Sequence, residues 1–171
     1  MKTESIFEIP ALICYLVKRL LTKHPDKQVG KTIVQKMMYL LSRQGIVDFD
    51  YSMYHYGPYS SEVEGELNFA ESAEIVEIKW VDEQGYYIKP GPNLSSFESL
   101  VTKDQRYAID DLIDQYGHFN AIELSLITTA FFLKDDFGVP ERRLAEVVHN
   151  VKPKHHLEFI EGKLREAGVI K

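Results

Sequence analysis

Apolar residues recur at steps of three and four residues in two stretches near the start of the chain, a spacing that places them on one helix face. The first stretch covers residues 9–21 and stops before Pro25, and the second covers residues 33–41 between Gly30 and Gly45. Glycine and proline are common just beyond helix ends. The pattern therefore predicts two helices that pack against each other through these faces.

The period then changes, because aromatic and polar residues alternate over residues 49–56. Alternation of this kind favours a short strand, and Gly57 and Pro58 are expected to end it. A third helix is predicted to start near Ser60, a capping residue, and to run to about Glu71. Glutamates near its start suit the positive end of the helix dipole.

A hairpin is predicted next, because residues 74–81 and 85–89 favour strands and flank a turn-rich sequence. Helix, helix, strand, helix and hairpin is the order of a winged-helix module. Proline, glycine and serine are frequent in residues 90–96, which are interpreted as a linker. We therefore predict a winged-helix-like module over residues 1–92 and a helical subdomain packed on it over residues 93–171.

The sequence predicts four helices in the second unit. Thr102 can cap a helix that runs to about residue 115, and Asn120 with Glu123 resembles a capping box. Pro140 suits the first turn of a further helix, and residues 154–167 form the last predicted helix. The predicted fold class is mainly α, of the α+β type, with a small β-hairpin in the N-terminal module.

Composition is close to the average of globular proteins, with 44% hydrophobic and 27% charged residues in 171. The apolar run over residues 9–17 is too short for a bilayer span, and residues 1–8 lack the basic start of a secretory signal. We therefore expect a cytoplasmic protein. The single cysteine, Cys14, excludes an internal disulfide and is predicted to be a small buried residue rather than a nucleophile.

The net charge of −6 is unevenly distributed along the chain. Residues 1–44 carry eight lysines and arginines against three acids, whereas residues 45–100 carry two against eleven. The predicted third helix would be the recognition helix of a winged-helix protein. It has no cation between Tyr59 and Glu74, but it has five glutamates, at positions 62, 64, 66, 71 and 74. Repulsion from phosphates therefore argues against DNA binding through this helix.

The basic N-terminal helices offer a different DNA-facing surface and support an alternative function as a transcriptional regulator. Their cations could also be a solvated face, or could pair with the acidic helix within the fold or in a second copy of the chain. The sequence leaves these interpretations open. The cations are Lys18, Arg19, Lys23, Lys27, Lys31, Lys36 and Arg43.

Signatures of common enzymes are absent from the sequence, since it has no phosphate-binding glycine loop, nucleophile elbow or HExxH motif. His149, His155 and His156 are close in sequence, but their spacing does not suit a metal site. We therefore predict no catalytic residues, no metal and no cofactor. An enzyme of unrecognised class is the remaining alternative.

The densest cluster of unusual residues lies at residues 51–60, where tyrosines surround a Gly-Pro pair. Tyrosines combine apolar faces with polar tips, as binding surfaces often do, but a half-buried strand and a turn would also explain them. Gly65 is a second unusual residue, because glycine inside a helix is costly unless a backbone or a partner approaches closely.

Two short motifs in a fixed order carry a family resemblance. Residues of the second predicted helix and of the following turn resemble the "QK, apolar, apolar, Y" helix and the "YGPYS" turn of the YwgA-like uncharacterised proteins. The Panacea domain of SocA-like antitoxins has a similar QK helix followed by a Gly-Pro turn. The matching residues are Lys31, Gln35, Lys36, Met37, Tyr39, Tyr56, Gly57, Pro58, Tyr59 and Ser60.

This resemblance implies a small helical module without catalytic activity, which in the antitoxin relatives acts by binding a partner protein. The C-terminal section with its Lys152–Lys154 turn departs from the shorter Panacea pattern and looks more like the YwgA-like group. We therefore predict an interaction or regulatory protein that binds another protein or itself. Its predicted binding residues are Lys31, Gln35, Lys36, Tyr39, Tyr56, Gly57, Pro58, Tyr59 and Ser60.

Overall fold

The computed structural model describes residues 6–171. Most of the 1–8 opening, on which the prediction of no secretory signal rests, lies outside the described residues. The first two helices are α1 (Glu8–Lys23) and α2 (Lys31–Arg43), and both are confirmed close to their predicted ends. The faces that carry the apolar repeat are buried in each helix, and Cys14 is buried with them.

The predicted strand over residues 49–56 is wrong in one respect, because the region forms a small antiparallel hairpin. Strand β1 (Ser52–Tyr54) pairs with β2 (Gly57–Tyr59), and the chain turns at His55 and Tyr56. Gly57 and Pro58 therefore lie within the second strand rather than after the first. The positive φ of Gly57, +101°, lets the chain reverse where a side chain would be strained.

The third helix, α3 (Ser61–Ser72), starts where it is predicted, with the Ser60 side chain accepting a hydrogen bond from the Val63 amide. The predicted hairpin is confirmed as β3 (Val76–Val81) paired with β4 (Gly85–Pro90). Within the described residues the two hairpins form separate two-stranded sheets. The mainly helical, α+β fold class is confirmed, whereas the winged-helix assignment stays a prediction.

Residues 91–101 are more ordered than the predicted linker. They contain the short helix α4 (Leu94–Phe97) and a 3-10 turn (Glu98–Leu100), and Leu94 is buried. The Gly91 amide donates to the Ile75 carbonyl, and a Cβ on Gly91 would lie only 2.3 Å from the Glu74 carbonyl oxygen. This segment is therefore packed tightly against the start of β3.

Four helices follow, as predicted. Both expected N-caps are present, since Thr102 with Gln105 and Asn120 with Glu123 form complete capping boxes. The last helix starts three residues later than predicted, at Leu157, because residues 152–156 form a turn. The helices are α5 (Lys103–Tyr116), α6 (Ala121–Phe137), α7 (Glu141–Val151) and α8 (Leu157–Glu166).

One hydrophobic core contains residues from both sides of the predicted boundary at residue 92. Helices α1 and α6 contribute long buried stretches to it, and every residue from Leu124 to Leu133 is buried. The core places the β1–β2 hairpin against α2 and α6. Of the helices formed by residues 6–171, none has the length and hydropathy that a bilayer crossing requires.

Candidate functional site

Gln35 and Ser60 form a two-point contact in the interior. The Gln35 side chain donates to the Ser60 carbonyl oxygen at 2.8 Å and accepts from the Ser60 amide at 3.0 Å. Both residues are buried, so these hydrogen bonds satisfy backbone groups that water cannot reach. The Gln35 side chain therefore makes the backbone hydrogen bonds to Ser60, at the end of the YGPYS segment, that a neighbouring β-strand would otherwise make.

Lys36, one residue further along α2, is 2% exposed, and its Nζ donates to the Pro58 carbonyl oxygen at 2.9 Å. Burial, and to a smaller extent the positive charge of Lys152, lowers the pKa of Lys36 to about 7. An ammonium is costly to bury without a counter-charge, which explains the direction of this shift. We call Gln35, Lys36, Gly57, Pro58 and Ser60 the motif cluster.

Gly57 places the motif cluster against α6. A Cβ on this glycine would lie 2.8 Å from Thr129 Oγ1 and 3.2 Å from the Ser125 carbonyl oxygen, so the backbone of β2 touches the helix. The Thr129 hydroxyl is buried and has no hydrogen-bond partner within residues 6–171. The residues at positions 35, 36, 57, 58 and 60 thus join α2, β2 and α6 in the interior.

The motif tyrosines differ in their surroundings. Tyr39 is buried, and its ring lies edge-on to Tyr51 with the centroids 5.1 Å apart. Burial raises the pKa of Tyr39 above its ordinary range. Tyr59 is half-buried and donates from its hydroxyl to the Glu64 carboxylate. Tyr56 is 65% exposed at the tip of the β1–β2 hairpin.

Lys31 and Tyr56 are the predicted binding residues that border a large open groove of about 1110 Å³. The tip of the β3–β4 hairpin forms another side of this groove with Trp80 and Tyr86, whose rings lie edge-on with centroids 4.9 Å apart. Lys31 Nζ lies 4.2 Å from the centre of the Tyr86 ring, within range of a cation–π interaction. We call this the aromatic groove.

The base of the aromatic groove is the connection between α1 and α2, which is held by the β3–β4 hairpin. The Ile88 amide donates to the Val29 carbonyl, and the Gln28 side chain donates to the carbonyl oxygens of Gln84 and Tyr86. These contacts fix the position of the β3–β4 tip relative to the α1–α2 connection. The groove is therefore preformed rather than assembled from loose loops.

The aromatic groove is lined with cations. Lys23, Lys27 and Lys31 border it together with one acid, Asp26. Lys27 Nζ donates to the Phe119 carbonyl oxygen at 2.6 Å, and burial lowers the pKa of Lys27. Its lining therefore contains more lysines than acids although the chain as a whole is acidic.

Most cations of the basic helices are engaged within the fold. Their partners are acids of the C-terminal half, so the pairing is intramolecular, but it is not the pairing with the acidic helix α3 that the sequence left open. The charge that these side chains would offer to DNA phosphates is partly neutralised. The pairs are Lys18–Glu98 at 2.7 Å, Arg19–Asp110 at 2.8 Å, Lys23–Asp114 at 2.7 Å and Arg43–Asp135 at 2.6 Å.

The remaining candidates from the sequence are Cys14, the histidines near the C-terminus and Gly65. Burial raises the pKa of Cys14 to about 12, and its thiol donates to the Ile75 carbonyl, so it remains a protonated thiol near neutral pH. Among residues 6–171 no three histidine, cysteine or acidic side chains are placed to hold a metal ion. His149 Nδ1 lies 2.8 Å from the His155 carbonyl oxygen. Apart from its chain neighbours and the backbone of its own helix, no described atom lies within 4 Å of a Cβ on Gly65, so no other backbone approaches this glycine within residues 6–171.

Trp80 and Tyr86 are site residues that the sequence reasoning missed. Their alternation within strands is equally typical of a solvated hairpin face. The only further signal is the presence of large aromatic side chains beside a turn. Their position next to Lys31 depends on the contact between the hairpin and the α1–α2 connection.

A comparison with models of known protein families finds no match. No curated protein matches the sequence either. The resemblance of the QK helix and the YGPYS turn to the YwgA-like and Panacea proteins therefore stays a prediction.

Proposed function

We propose that this protein is a non-catalytic interaction protein that binds a partner protein in the aromatic groove. The occupant is an extended acidic segment of the partner. The proposal rests on one observation. Three aromatic side chains from two hairpin tips line the same groove as the lysines at and beside the α1–α2 connection; they are Tyr56, Trp80 and Tyr86. The YwgA-like and Panacea resemblance supports the same class of function.

Aromatic side chains supply large contact areas at low entropic cost, and they are enriched at the centres of protein interfaces. Trp80 and Tyr56 are 58% and 65% exposed, so their faces are accessible to a ligand. The lysines attract acidic side chains and disfavour a basic segment. The single buried cysteine fits a cytoplasmic location, which is part of the same proposal.

The role of the motif cluster in this proposal is to position Tyr56. Gln35 and Lys36 bind the backbone of residues 58 and 60, and the hairpin that carries Tyr56 is held by these contacts. Lys31 and Tyr56 would touch the partner directly. Gln35, Lys36, Gly57, Pro58 and Ser60 would contribute indirectly, because they are buried.

The chain contains one tryptophan, and it borders the aromatic groove, so its fluorescence reports binding there. We would titrate the full chain with extended acidic, neutral and basic peptides that are matched in their own fluorescence. A single-stranded oligonucleotide would be titrated in the same way. Acidic peptides are expected to change the Trp80 emission in a saturable way. Tyr56→Ala and Lys31→Gln should each weaken their binding about tenfold, a loss of one hot-spot contact.

Lys103→Gln is the matched control, because Lys103 is exposed at the start of α5 and does not border the groove. It should bind like the wild type. Equal binding of acidic and basic peptides, or unchanged affinity in both groove variants, would contradict the proposal. Binding of the oligonucleotide alone, weakening steeply with salt, would instead support the regulator alternative.

A further inference from the structure

A second, smaller pocket lies on the other side of Tyr56. It has a volume of about 430 Å³ and lies between the β1–β2 turn, the first turn of α6 and the connection from α7 to α8. Tyr56 and Ile122, which is 54% exposed, line both this pocket and the aromatic groove and give the pocket an apolar wall. Pockets of this size accommodate small organic ligands.

The polar lining of this pocket is basic. Lys152, Lys154, His55 and His155 border it, and in the described part of the chain no carboxylate does. Neither lysine forms an ion pair with an acid of residues 6–171. We call this the lysine pocket. It differs from the basic helices, whose cations are largely paired.

The position of Lys152 is fixed, yet most of its hydrogen-bonding capacity is unused. Its Nζ donates to the His55 carbonyl oxygen at 2.9 Å, which ties the α7–α8 connection to the hairpin turn. An ammonium group has three N–H donors, so two remain for a ligand. The contact between the His149 ring and the His155 carbonyl holds the same connection from its other side.

Positive charges are concentrated in the lysine pocket, and no carboxylate of residues 6–171 borders it. Burial, followed by the charge of Lys154, lowers the pKa of Lys152. Burial and the charges of Lys154 and Lys152 likewise lower the pKa of His155. A bound anion would favour the charged form of each group, because an opposite charge stabilises it.

We propose that the lysine pocket binds a small organic anion whose carboxylate or phosphate lies at Lys152 and Lys154 and whose apolar body packs on Tyr56 and Ile122. The inference does not rest on partner binding in the aromatic groove, because it depends on different cations. The shared ligand chemistry is an oxyanion attached to an aromatic or aliphatic body. A free small molecule and the carboxyl terminus of a peptide both provide it.

The test is a titration of the full chain, followed by the backbone amide resonances of residues 152, 154 and 155. The probes are phenylacetate, phenyl phosphate and the neutral phenylacetamide. Phenylacetate and phenyl phosphate are expected to bind with a dissociation constant of about 1 mM or below, which is an ordinary affinity for so few atoms. Phenylacetamide should bind at least about tenfold more weakly, because it lacks the charge.

The variant for this test is K152Q/K154Q, since glutamine at position 152 keeps a donor for the His55 carbonyl. It should lose at least about tenfold in affinity for phenylacetate. The matched control K103Q/K134Q removes two exposed lysines outside the pocket and should bind like the wild type. Wild-type circular dichroism of both variants would show that folding is unchanged.

The proposal is overturned if phenylacetamide binds as tightly as phenylacetate, if K152Q/K154Q keeps wild-type affinity, or if no saturable shift occurs. A peptide that ends in phenylalanine is titrated as the free acid and as the C-terminal amide. This comparison distinguishes a peptide terminus from a free small molecule as the source of the oxyanion. Tighter binding of the free acid peptide than of phenylacetate identifies a chain terminus as the ligand. Tighter binding of phenylacetate identifies a small molecule, and both results support an oxyanion site.

Discussion

The motif cluster and the Tyr56 side chain of the aromatic groove come from the same short motifs, but their surroundings are opposite. Gln35 and Lys36 lie in the interior, bound to the backbone of residues 58 and 60, whereas Tyr56 of the same YGPYS segment is exposed. The difference teaches that a dense motif can combine two roles. Its buried polar residues hold a hairpin in place, and its exposed aromatic residue is available to a ligand.

The strongest test of this division is Gln35→Ala. It leaves the buried amide of Ser60 without a partner, which is costly, and the Ser60 carbonyl keeps only its hydrogen bond from the Glu64 amide. We expect the free energy of unfolding to fall by about 3 kcal/mol in a denaturant titration. Gln44→Ala, at an exposed glutamine just beyond the C-terminal end of α2, should change it by less than about 0.5 kcal/mol. Equal effects of the two variants would show that the Gln35 contact is not a stabilising one.

Two glycines offer a second contrast. Gly57→Ala would place a Cβ against Thr129 Oγ1 at a positive φ, so we expect a loss of about 2 kcal/mol or more. Gly65→Ala adds its Cβ in open space inside α3 and should stabilise the protein by about 1 kcal/mol. Thermal unfolding of both variants checks the signs. A stable Gly57→Ala protein would contradict the close contact between β2 and α6.

The third prediction concerns pH. The pKa of Lys36 is about 7 in the folded protein and has its ordinary value near 10.4 in the unfolded chain. Between these values the unfolded state binds more protons, so the free energy of unfolding rises with pH by about 1 kcal/mol per pH unit. Below the folded pKa, Lys36 contributes no pH dependence.

Denaturant titrations from about pH 7 to about pH 8.5 check this slope, in a range below the ordinary pKa of tyrosine. Lys36→Met should lack the rise that Lys36 contributes, whatever its absolute stability. Lys134→Met, at an exposed lysine of α6, should keep the wild-type slope. The burial argument fails if Lys36→Met and the wild type show the same pH dependence.

The smallest expected effect on stability belongs to Tyr56→Ala. Because this side chain is exposed, we expect a change in the free energy of unfolding of less than about 0.5 kcal/mol. Tyr107→Ala, at a comparably exposed tyrosine of α5, is the control and should behave alike. A loss of several kcal/mol in Tyr56→Ala alone would assign Tyr56 to the structural part of the motif.

Much of the local structure could be predicted, because its causes lie within a few residues. Thr102 and Asn120 are followed three residues later by Gln105 and Glu123, which is enough to specify a capping box. The prediction of a single strand over residues 49–56 is wrong, because it treats Gly57 only as a residue that ends a strand. Glycine with a positive φ also permits a strand to start there, and only the contact with α6 selects that conformation.

The candidate sites could be predicted only in part. The motif indicates Tyr56 and Lys31 as site residues, but it does not indicate Trp80, Tyr86, Lys152 or Lys154. The lysine pocket joins residues 32, 55, 121 and 152, and nothing in the sequence around any of them indicates the others. The environment of Lys36 was equally hidden, because a lysine beside a glutamine on a helix is ordinarily solvated.

The sequence by itself determined the helices, their caps and the mainly helical class, since periodicity and capping act over three or four residues. The tertiary structure decided which polar residues are buried, which charges are paired and where pockets form. Lys18 and Glu98 illustrate the reason, because their ion pair joins residues 80 positions apart. Burial and charge pairing depend on such distant neighbours, which chain folding alone brings together.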